Sequence, residues 1–304
     1  MKLPTVLGSW FAVAFVCSGC TQLMAPVHVS QQRSTTYANP LVQTSSLFYP
    51  LDIGNHWSYE QTLVFVIVPT GGTPGPPATS QTSFDVDLIG TQQYLGRDYV
   101  VQRETFEDGS QGQFLYRQDK SGLYNADVAP APVNRATQTR AAVAATRLLG
   151  QASEAERSAY RAALDRLMNK QLALRRMVRG GSGLIATATD AGPLQGEIAL
   201  LQYPLATSKT WHVREDPLVI YTVEAQDRLD LPAGALSGWR IRIDWPGVFG
   251  PNDRAQVWYG RDGVLQLEAH LEAEATDENG NVIGTIISDE SQRLTDHTLV
   301  NSGS

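Results

Sequence analysis

Cysteine is nearly missing from this chain of 304 residues. The sequence holds two cysteines, Cys17 and Cys20, and both lie close to the N-terminus. A protein body without cysteine has no disulfide bond, no thiolate nucleophile and no cysteine-ligated zinc. Those chemistries are therefore excluded for everything that follows residue 20.

Histidine is scarce, and its spacing does not indicate a metal site. None of the histidines pairs with another at a ligand spacing such as His-x3-His. His56 and His212 occupy comparable places beside two tryptophans and could meet in space, although strand-entry histidines are more often solvated. The sequence predicts no metal site and no cofactor; its five histidines are His28, His56, His212, His270 and His297.

Motifs for nucleophilic or acid/base catalysis are also lacking. The run "RGGSGL", residues 179–184, does not have the Gly-x-Ser-x-Gly spacing of a serine hydrolase. "DENGN", residues 277–281, fits a hairpin turn better than a calcium loop, because its glycine comes too early. Glu268, Glu272 and Glu274 alternate along one strand and are expected on its wet side. The sequence thus predicts no catalytic residue and a protein that is not an enzyme.

Long apolar runs are missing, apart from one near the start. That run, "VLGSWFAVAFV" at residues 6–16, follows Lys2 and precedes the small residues Ser18 and Gly19. It is too short to span a bilayer as a helix. A positive end, a short apolar run and small residues are typical of an export signal, which we assign to residues 1–19.

The run "CSGC", residues 17–20, resembles the lipobox of bacterial lipoproteins. The resemblance implies cleavage before Cys20 and acylation of that residue, although lipoboxes usually carry leucine where this chain has Cys17. Cys17 as the acceptor would place Val16 next to the cut, which fits less well. A plain secretory signal or an uncleaved anchor is the alternative. Thr21, where the inner-membrane sorting pattern has aspartate, implies the outer membrane of a Gram-negative envelope, with the protein facing the periplasm or the cell surface.

Residues 20–46 are rich in Gln, Ser and Thr and have no apolar periodicity, which predicts a flexible tether. Such a segment reaches roughly 30 Å on average. The body that follows is long enough to bury a large core. The net charge of −7 makes nucleic acid an unexpected partner.

The body repeats one pattern. "FYPLDIGNHW" at residues 48–57 returns as "QYPLATSKTW" at residues 202–211, and alternating strand patterns follow each copy. Two further landmarks recur in order: "LIGTQQYLGRDYVV" against "LDLPAGALSGWRIRI", and "FLYRQDKSGLY" against "VWYGRDGVLQL". The sequence therefore predicts a mainly β fold, an antiparallel half-open barrel or sandwich made of two similar meanders, residues 47–132 and 182–294, with a flexible tail at 295–304.

The repeated motif has a physical interpretation. Proline cannot donate to a strand ladder, so Tyr-Pro-Leu belongs at a strand entry or on an edge. The tryptophan that follows, Trp57 or Trp211, buries a large ring. We expect each copy to close one end of a curved sheet, the alternative being a strand-entry turn that merely recurs. Ser208 stands where the first copy has Gly54, so the second turn need not share its geometry.

These motifs resemble a loose group of uncharacterised bacterial β-rich lipoproteins. The resemblance rests on four segments and covers most of residues 47–294. It implies a fold and no reaction. The segments are residues 49–57, residues 203–211, Pro232-Ala233-Gly234, and Trp258-Tyr259 with Gly263-Val264. After the second aromatic residue of the last segment, the group often has Ala-Pro-Gly, where this chain has Gly260-Arg261-Asp262.

Residues 133–181 change to a helical period and predict an inserted αα-hairpin. Ser153 and Glu156 form a capping-box pattern, and an apolar stripe follows until Gly180. Residues 134–179 carry ten basic and three acidic residues, a net charge of +7. Three interpretations stay open: the stripe packs on the β body with its arginines facing acids, the hairpin covers a cavity as a lid, or it contacts an anionic membrane or acidic partner. The stripe comprises Tyr160, Ala163, Leu164, Leu167, Met168, Leu174, Met177 and Val178.

The sequence predicts a lipid-anchored envelope protein, most simply a non-enzymatic binding module for an apolar or amphipathic envelope ligand. The alternative is a structural or protein-interaction lipoprotein with a filled core. The expected partners are the membrane, through the lipid on Cys20, and either a lipid or other apolar small molecule or an envelope protein. No residue is assigned to ligand binding.

Overall fold

The structure, a computed structural model, describes residues 48–94, 96–126, 143, 149–150, 152–178 and 197–300. The predicted signal at residues 1–19, Cys20, the tether and the "RGGSGL" run lie outside these residues. Their assignments therefore remain predictions.

Within the described residues, twelve strands form one antiparallel sheet, in the order β6-β5-β4-β3-β2-β1-β12-β11-β10-β9-β8-β7. The sheet curves into a nearly closed barrel, which confirms the predicted half-open barrel and makes the sandwich alternative wrong. The strands are β1 His56–Pro69, β2 Ala78–Tyr94, β3 Arg97–Phe106, β4 Gln111–Asp119, β5 Gly122–Ala126, β6 Glu197–Gln202, β7 Thr210–Glu215, β8 Leu218–Leu231, β9 Gly234–Asp244, β10 Arg254–Gly260, β11 Gly263–Thr276 and β12 Val282–Thr298.

The sheet consists of two six-stranded meanders, β1–β6 and β7–β12, joined where β1 pairs with β12. Each meander opens with a strand that carries a motif tryptophan, Trp57 or Trp211. The other landmarks fall on corresponding hairpins, β2–β3 with β8–β9 and β4–β5 with β10–β11. The predicted boundary between the meanders is wrong by one strand: β6 completes the first meander, because the helical insertion interrupts that meander before its last strand.

The C-terminal boundary also differs from the prediction. β12 continues through Thr298, into the segment predicted as a tail beginning at residue 295. His297 pairs with Trp57 on β1, and the Thr295 hydroxyl donates to the Ser58 carbonyl at 3.0 Å. Pairing with β1 thus holds residues that have little apolar pattern of their own.

The strands form because their apolar residues alternate. On β1, Trp57, Tyr59, Leu63, Phe65 and Ile67 are buried, and the residues between them are more exposed. This period of two places one face of the strand in the barrel and the other outside. The buried face is therefore the interior wall of the barrel.

The two ends of the barrel differ. Odd-numbered strands begin at one end, where Trp57 and Trp211 lie, and this is called the tryptophan end. The opposite end, called the helix end, holds the β9–β10 loop (residues 245–253) and the β11–β12 turn. In that turn, the Asp277 carboxylate accepts hydrogen bonds from the backbone N–H of Asn279 and Asn281, at 2.9 and 2.8 Å. This confirms the predicted hairpin turn at residues 277–281.

Helix α1, Glu154–Val178, packs inside the sheet against β11 and β12. Its start is a capping box, since the Ser153 N–H donates to the Glu156 carboxylate at 3.0 Å. Most of the first helix of the predicted hairpin lies outside the described residues, so the hairpin remains a prediction. Among the residues that are described, no helical segment has both the length and the apolar character needed to cross a membrane.

Candidate functional site

A cavity lies inside the barrel between the C-terminal end of α1 and the tryptophan end. It leaves about 20 Å³ for the centres of water molecules, enough for about one water. With α1 in place, this cavity is too small for an apolar ligand of any length. The aromatic part of the wall is Tyr49, Tyr59, Phe84, Tyr116 and Tyr259, and the polar part is Gln102, Glu104 and Gln292.

The tyrosines of this wall are hydrogen-bond donors and acceptors rather than bases. Burial raises the pKa of Tyr49, and the negative charge of Glu104 raises it further. Burial likewise raises the pKa of Tyr259 well above its ordinary value. Both phenols therefore stay protonated at neutral pH, and the wall suits ring stacking and neutral hydrogen bonds.

The two Tyr-Pro-Leu segments meet at Gln118 on β4. The Gln118 side chain accepts from the Tyr49 N–H at 2.9 Å and donates to the Tyr49 carbonyl at 2.8 Å. The Tyr203 hydroxyl donates to the same amide oxygen. The Phe48 and Tyr203 rings pack edge to face with centroids 6.1 Å apart. The repeated motif thus brings together, at the tryptophan end, the two segments that lead into β1 and β7.

Trp57 closes that end of the barrel. Its indole N–H donates to the Asp262 carbonyl at 2.5 Å, in the turn between β10 and β11. Gly263 beside it lies so close that a Cβ there would be 2.8 Å from the Trp57 Nε1. For this copy, the predicted role in closing an end is supported.

Trp211 makes a different contact, so for the second copy the closing of an end stays a prediction. Because β7 is an edge strand, the Trp211 indole reaches across to the other edge and donates to the Ala199 carbonyl of β6 at 3.0 Å. Lys209 donates to the Gln202 carbonyl at 2.7 Å in the same gap. The second motif therefore seals the side seam between the two edges. Ser208 has a φ of 67° and Gly54 a φ of 98°, so both turns use a left-handed residue.

The apolar stripe of α1 fills the concave face of the sheet. It shares one core cluster with Leu63 and Phe65 on β1, Leu271 on β11 and Ile286 on β12. The interpretation that the stripe packs on the β body is confirmed. The buried stripe residues are Tyr160, Ala163, Leu164, Leu167, Leu174, Met177 and Val178, with Met168 partly buried.

Charged and polar side chains interrupt the buried face of α1. Lys170 forms an ion pair with Asp253 at 2.7 Å, and the Asp253 side chain is 1% exposed. Arg175 forms another with Glu290 at 2.6 Å, and the Glu290 side chain is fully buried. Gln171 donates to the Ser288 hydroxyl between these pairs. The helix is thus held by polar contacts as well as by apolar packing.

Glu290 and Arg175 are the site residues that sequence reasoning missed. Glu290 also accepts from the Gln61 amide on β1. The alternation of β12 contains the signal, because Ile286, Ser288, Glu290 and Leu294 share its inward face. A carboxylate on an inward face, opposite a basic insertion, indicates a buried ion pair.

His212 and His270 belong to separate surface networks. His212 contacts Glu215 at 2.8 Å, and His270 contacts Asp289 at 2.7 Å and Glu272 at 3.3 Å. These carboxylates, through their hydrogen bonds, raise the pKa of His270 even though burial alone lowers it. Within the described part of the chain, no group of three or more His, Cys, Asp or Glu could hold a metal ion.

His56, Ser58 and Asp87 show the contact order of a hydrolytic triad without its proton path. His56 lies 2.8 Å from Asp87 and 3.2 Å from the Ser58 hydroxyl. That hydroxyl donates to Asp85 at 2.6 Å, so its proton points away from the imidazole that would have to accept it. The group lies on the outer face of β1 and β2, where it forms a surface polar network.

Comparisons with known proteins give distant likenesses only. No protein-family model matches the chain, and no curated protein does. A protein inferred to be exported, with a YmcC-like fold, from Bacteroides fragilis is 9% identical, covering 83% of this chain and 98% of that chain, with a TM-score of 0.31. A protein inferred to be a lipoprotein, from Parabacteroides distasonis, is 10% identical, covering 82% and 97%, with a TM-score of 0.29. A LolA superfamily protein from Nitrosomonas europaea is 6% identical, covering 81% and 87%, with a TM-score of 0.17.

Proposed function

We propose that the protein is a lipid-anchored, non-enzymatic binding protein of the bacterial envelope. Cys20 carries the lipid, and the body stands off the outer membrane, facing the periplasm or the cell surface. Its ligand is an apolar or amphipathic envelope molecule. The ligand binds on the concave face of the sheet, in the place that α1 occupies in this structure.

The observation that carries the proposal is the mixed character of the buried face of α1. Replacing a buried ion pair by apolar residues of similar volume is often neutral or stabilising, so a permanent core element gains little from Arg175 and Glu290. On a helix that leaves the barrel, Lys170, Gln171 and Arg175 return to water and regain their hydration. The regained hydration of these side chains lowers the free energy needed to move α1 out of the barrel, which suits a removable cover.

The wall beneath the helix suits an apolar ligand. With α1 displaced, the aliphatic residues that now contact its stripe would form an open concave surface continuous with the aromatic cavity. An apolar chain in place of the stripe would bury a comparable surface, at about 25 cal/mol for each Å² removed from water. The ligand's polar part would lie over Asp253 and Glu290, because these carboxylates lose Lys170 and Arg175 when α1 leaves. In this function α1 is an occupant that the ligand replaces.

A second candidate follows from the size of the cavity. Since this cavity has room for about one water, α1 fits equally well as a permanent core element. The protein would then be a structural or interaction lipoprotein that binds another envelope protein through its surface. This candidate predicts that the protein carries no ligand.

Native mass spectrometry separates the two candidates. The soluble body, residues 21–304, contains all twelve strands and α1 and would be purified from an envelope extract. We expect a discrete bound mass that disappears after extraction with organic solvent, and its value identifies the class of ligand. A bare protein, under conditions in which a known lipid-binding protein keeps its lipid, would contradict the binding function and favour the filled core.

A further inference from the structure

Two buried hydrogen-bond donors on one wall of the barrel have no acceptor. The Tyr221 hydroxyl on β8 and the Trp245 indole N–H after β9 find no partner among the residues that the structure describes. Tyr221 is 0% exposed and Trp245 is 2% exposed. A buried donor without an acceptor destabilises a fold, because it loses its hydrogen bond to water.

The two donors are neighbours on the same face. Tyr221 pairs with Ile243 across β8 and β9, and Trp245 follows Ile243 by two residues. Residues in this diagonal relation lie within reach of aromatic side chains. The Trp211 ring packs on Tyr221 with centroids 5.8 Å apart, and Phe249 packs on Trp245 at 5.9 Å. These contacts hold both rings in place.

Other buried aromatic donors of the barrel do find acceptors. The Trp211 indole donates to Ala199, the Trp57 indole to Asp262, and the Tyr259 hydroxyl to the Val178 carbonyl at 3.1 Å. The lack of an acceptor is therefore particular to the Tyr221 hydroxyl and the Trp245 indole N–H and is not general to the aromatic donors of this core. Both belong to the core cluster that includes the stripe of α1.

We propose that Tyr221 and Trp245 bind the carbonyl oxygen of an ester or amide that joins the ligand's apolar chain to its polar part. This inference rests on the proposed function and names the ligand's chemistry. A carbonyl oxygen has two lone pairs, so it can accept from both donors. The neighbours Trp211, Ile243 and Phe249 are apolar, and such surroundings favour a neutral acceptor over a phosphate or carboxylate, which would lose its hydration.

The position of the pair fixes where the ligand's carbonyl lies. Tyr221 pairs with Trp211 on β7, and Trp245 follows the end of β9. The carbonyl therefore lies between the Tyr221 and Trp245 rings, and the apolar chain extends from it along the surface that α1 covers.

An ester and its ether analogue test this directly. The probes are 1-palmitoyl-lysophosphatidylcholine and 1-O-hexadecyl-lysophosphatidylcholine, which differ in the carbonyl, and binding to the soluble body is measured below their micelle concentrations. A hydrogen bond between neutral groups contributes about fivefold in affinity. We expect the protein to prefer the ester by about tenfold or more, and Tyr221→Phe and Trp245→Phe each to reduce that preference by about fivefold.

Tyr99→Phe is the matched control, because the hydroxyl that it removes donates to Glu197 and Tyr99 belongs to a core cluster separate from the one that includes α1. It should lower the unfolding midpoint and leave the ester preference unchanged. Tyr221→Phe should leave the midpoint unchanged or raise it, since it removes an unpaired hydroxyl. Equal binding of ester and ether by the unsubstituted protein would overturn the carbonyl assignment while the proposed function stands. Binding of neither lipid would contradict the proposed function and this inference together.

Discussion

Gly263 packs against Trp57 at the tryptophan end, where there is no room for a side chain. Its φ is +103°, and a Cβ there would lie 2.8 Å from Trp57 Nε1 and 3.1 Å from Trp57 Cε2. Gly263→Ala therefore adds backbone strain to a clash with a buried ring. We expect the free energy of unfolding, measured with urea on the soluble body, to fall by about 2–3 kcal/mol.

Gly280→Ala is the matched control for the backbone term. Gly280 has a φ of +81°, and nothing lies within 4 Å of its would-be Cβ. The substitution should therefore cost only the left-handed conformation, about 1 kcal/mol. Equal losses for both variants would mean that the indole of Trp57 moves freely, contrary to a tight closure of the tryptophan end.

Glu197 is the residue that ties stability to acid pH. Burial raises the pKa of Glu197, but hydrogen bonds and charge from Arg117, Tyr99 and Arg97 outweigh it and lower the pKa to about 2. The unfolded value is about 4.3. A lowered pKa in the folded state means that the carboxylate stabilises the fold above about pH 4.3, and that this contribution disappears as the pH falls toward 2.

The measurement is urea unfolding of the protein and of Glu197→Gln between pH 6 and pH 2. We expect the protein to be more stable than the variant at pH 6 by about 1 kcal/mol, since solvent screens part of the interaction. The difference should shrink steadily between about pH 4.3 and pH 2. A difference that stays constant through this range would refute the assigned pKa shift.

At the scale of elements, Arg175 and Glu290 couple α1 to β12. Arg175→Met leaves the Glu290 carboxylate buried without its cation, and we expect a loss of about 3 kcal/mol in the free energy of unfolding. Adding Glu290→Gln removes the buried charge and keeps an acceptor for Gln61. The double variant should therefore recover most of that loss in urea unfolding.

The coupling is measured as a double-mutant cycle. The control pair is Arg157 with Glu154, which meet at 3.0 Å on the exposed surface of the same helix. Exposed pairs of this kind contribute at most about 1 kcal/mol. If the effects of Arg175→Met and Glu290→Gln simply add, as expected for the exposed pair, Arg175 does not compensate the buried charge of Glu290, and this pair does not couple α1 to β12.

Helix α1 also shows how far the sequence predicts an element. Ser153, Glu156 and the apolar period predicted its start and its buried stripe, because these signals are local. The inward contacts of Lys170 and Arg175 depend on Asp253 and Glu290, which lie far away in the chain. No local signal names such partners.

At the scale of the whole molecule, the barrel is one sheet whose two edges face each other. β6 and β7 are both short, with 6 residues each, and the side chains of Trp211 and Lys209 bind carbonyls of β6. Short and capped edges protect a sheet from pairing with other chains. The repeated motif therefore has two uses, since Trp57 closes an end and Trp211 seals the seam.

The fold class and the duplication could be predicted from alternation and from the repeated Tyr-Pro-Leu and Trp pattern. The closure could not, because it depends on pairing between β1 and β12, as in the contact between Gln61 and Glu290, which are 229 residues apart. For the same reason no candidate residue for ligand binding could be read from the sequence. Tyr221 and Trp245 stand out only when each buried donor is matched with an acceptor.

The central claim is that the ligand binds where α1 lies, and a helix locked in place tests it most directly. The body after Cys20 has no cysteine, so Gln171→Cys and Ser288→Cys, at side chains that now touch, provide one defined pair for a short bimane crosslink. Binding of 1-palmitoyl-lysophosphatidylcholine is then measured by native mass spectrometry before and after crosslinking, with each single variant treated in the same way as a control.

We expect the crosslinked protein to lose the lipid, and the uncrosslinked double variant and both treated single variants to keep it. If the locked protein binds the lipid as well as the free protein does, α1 does not cover the site, and its role as a removable cover is contradicted.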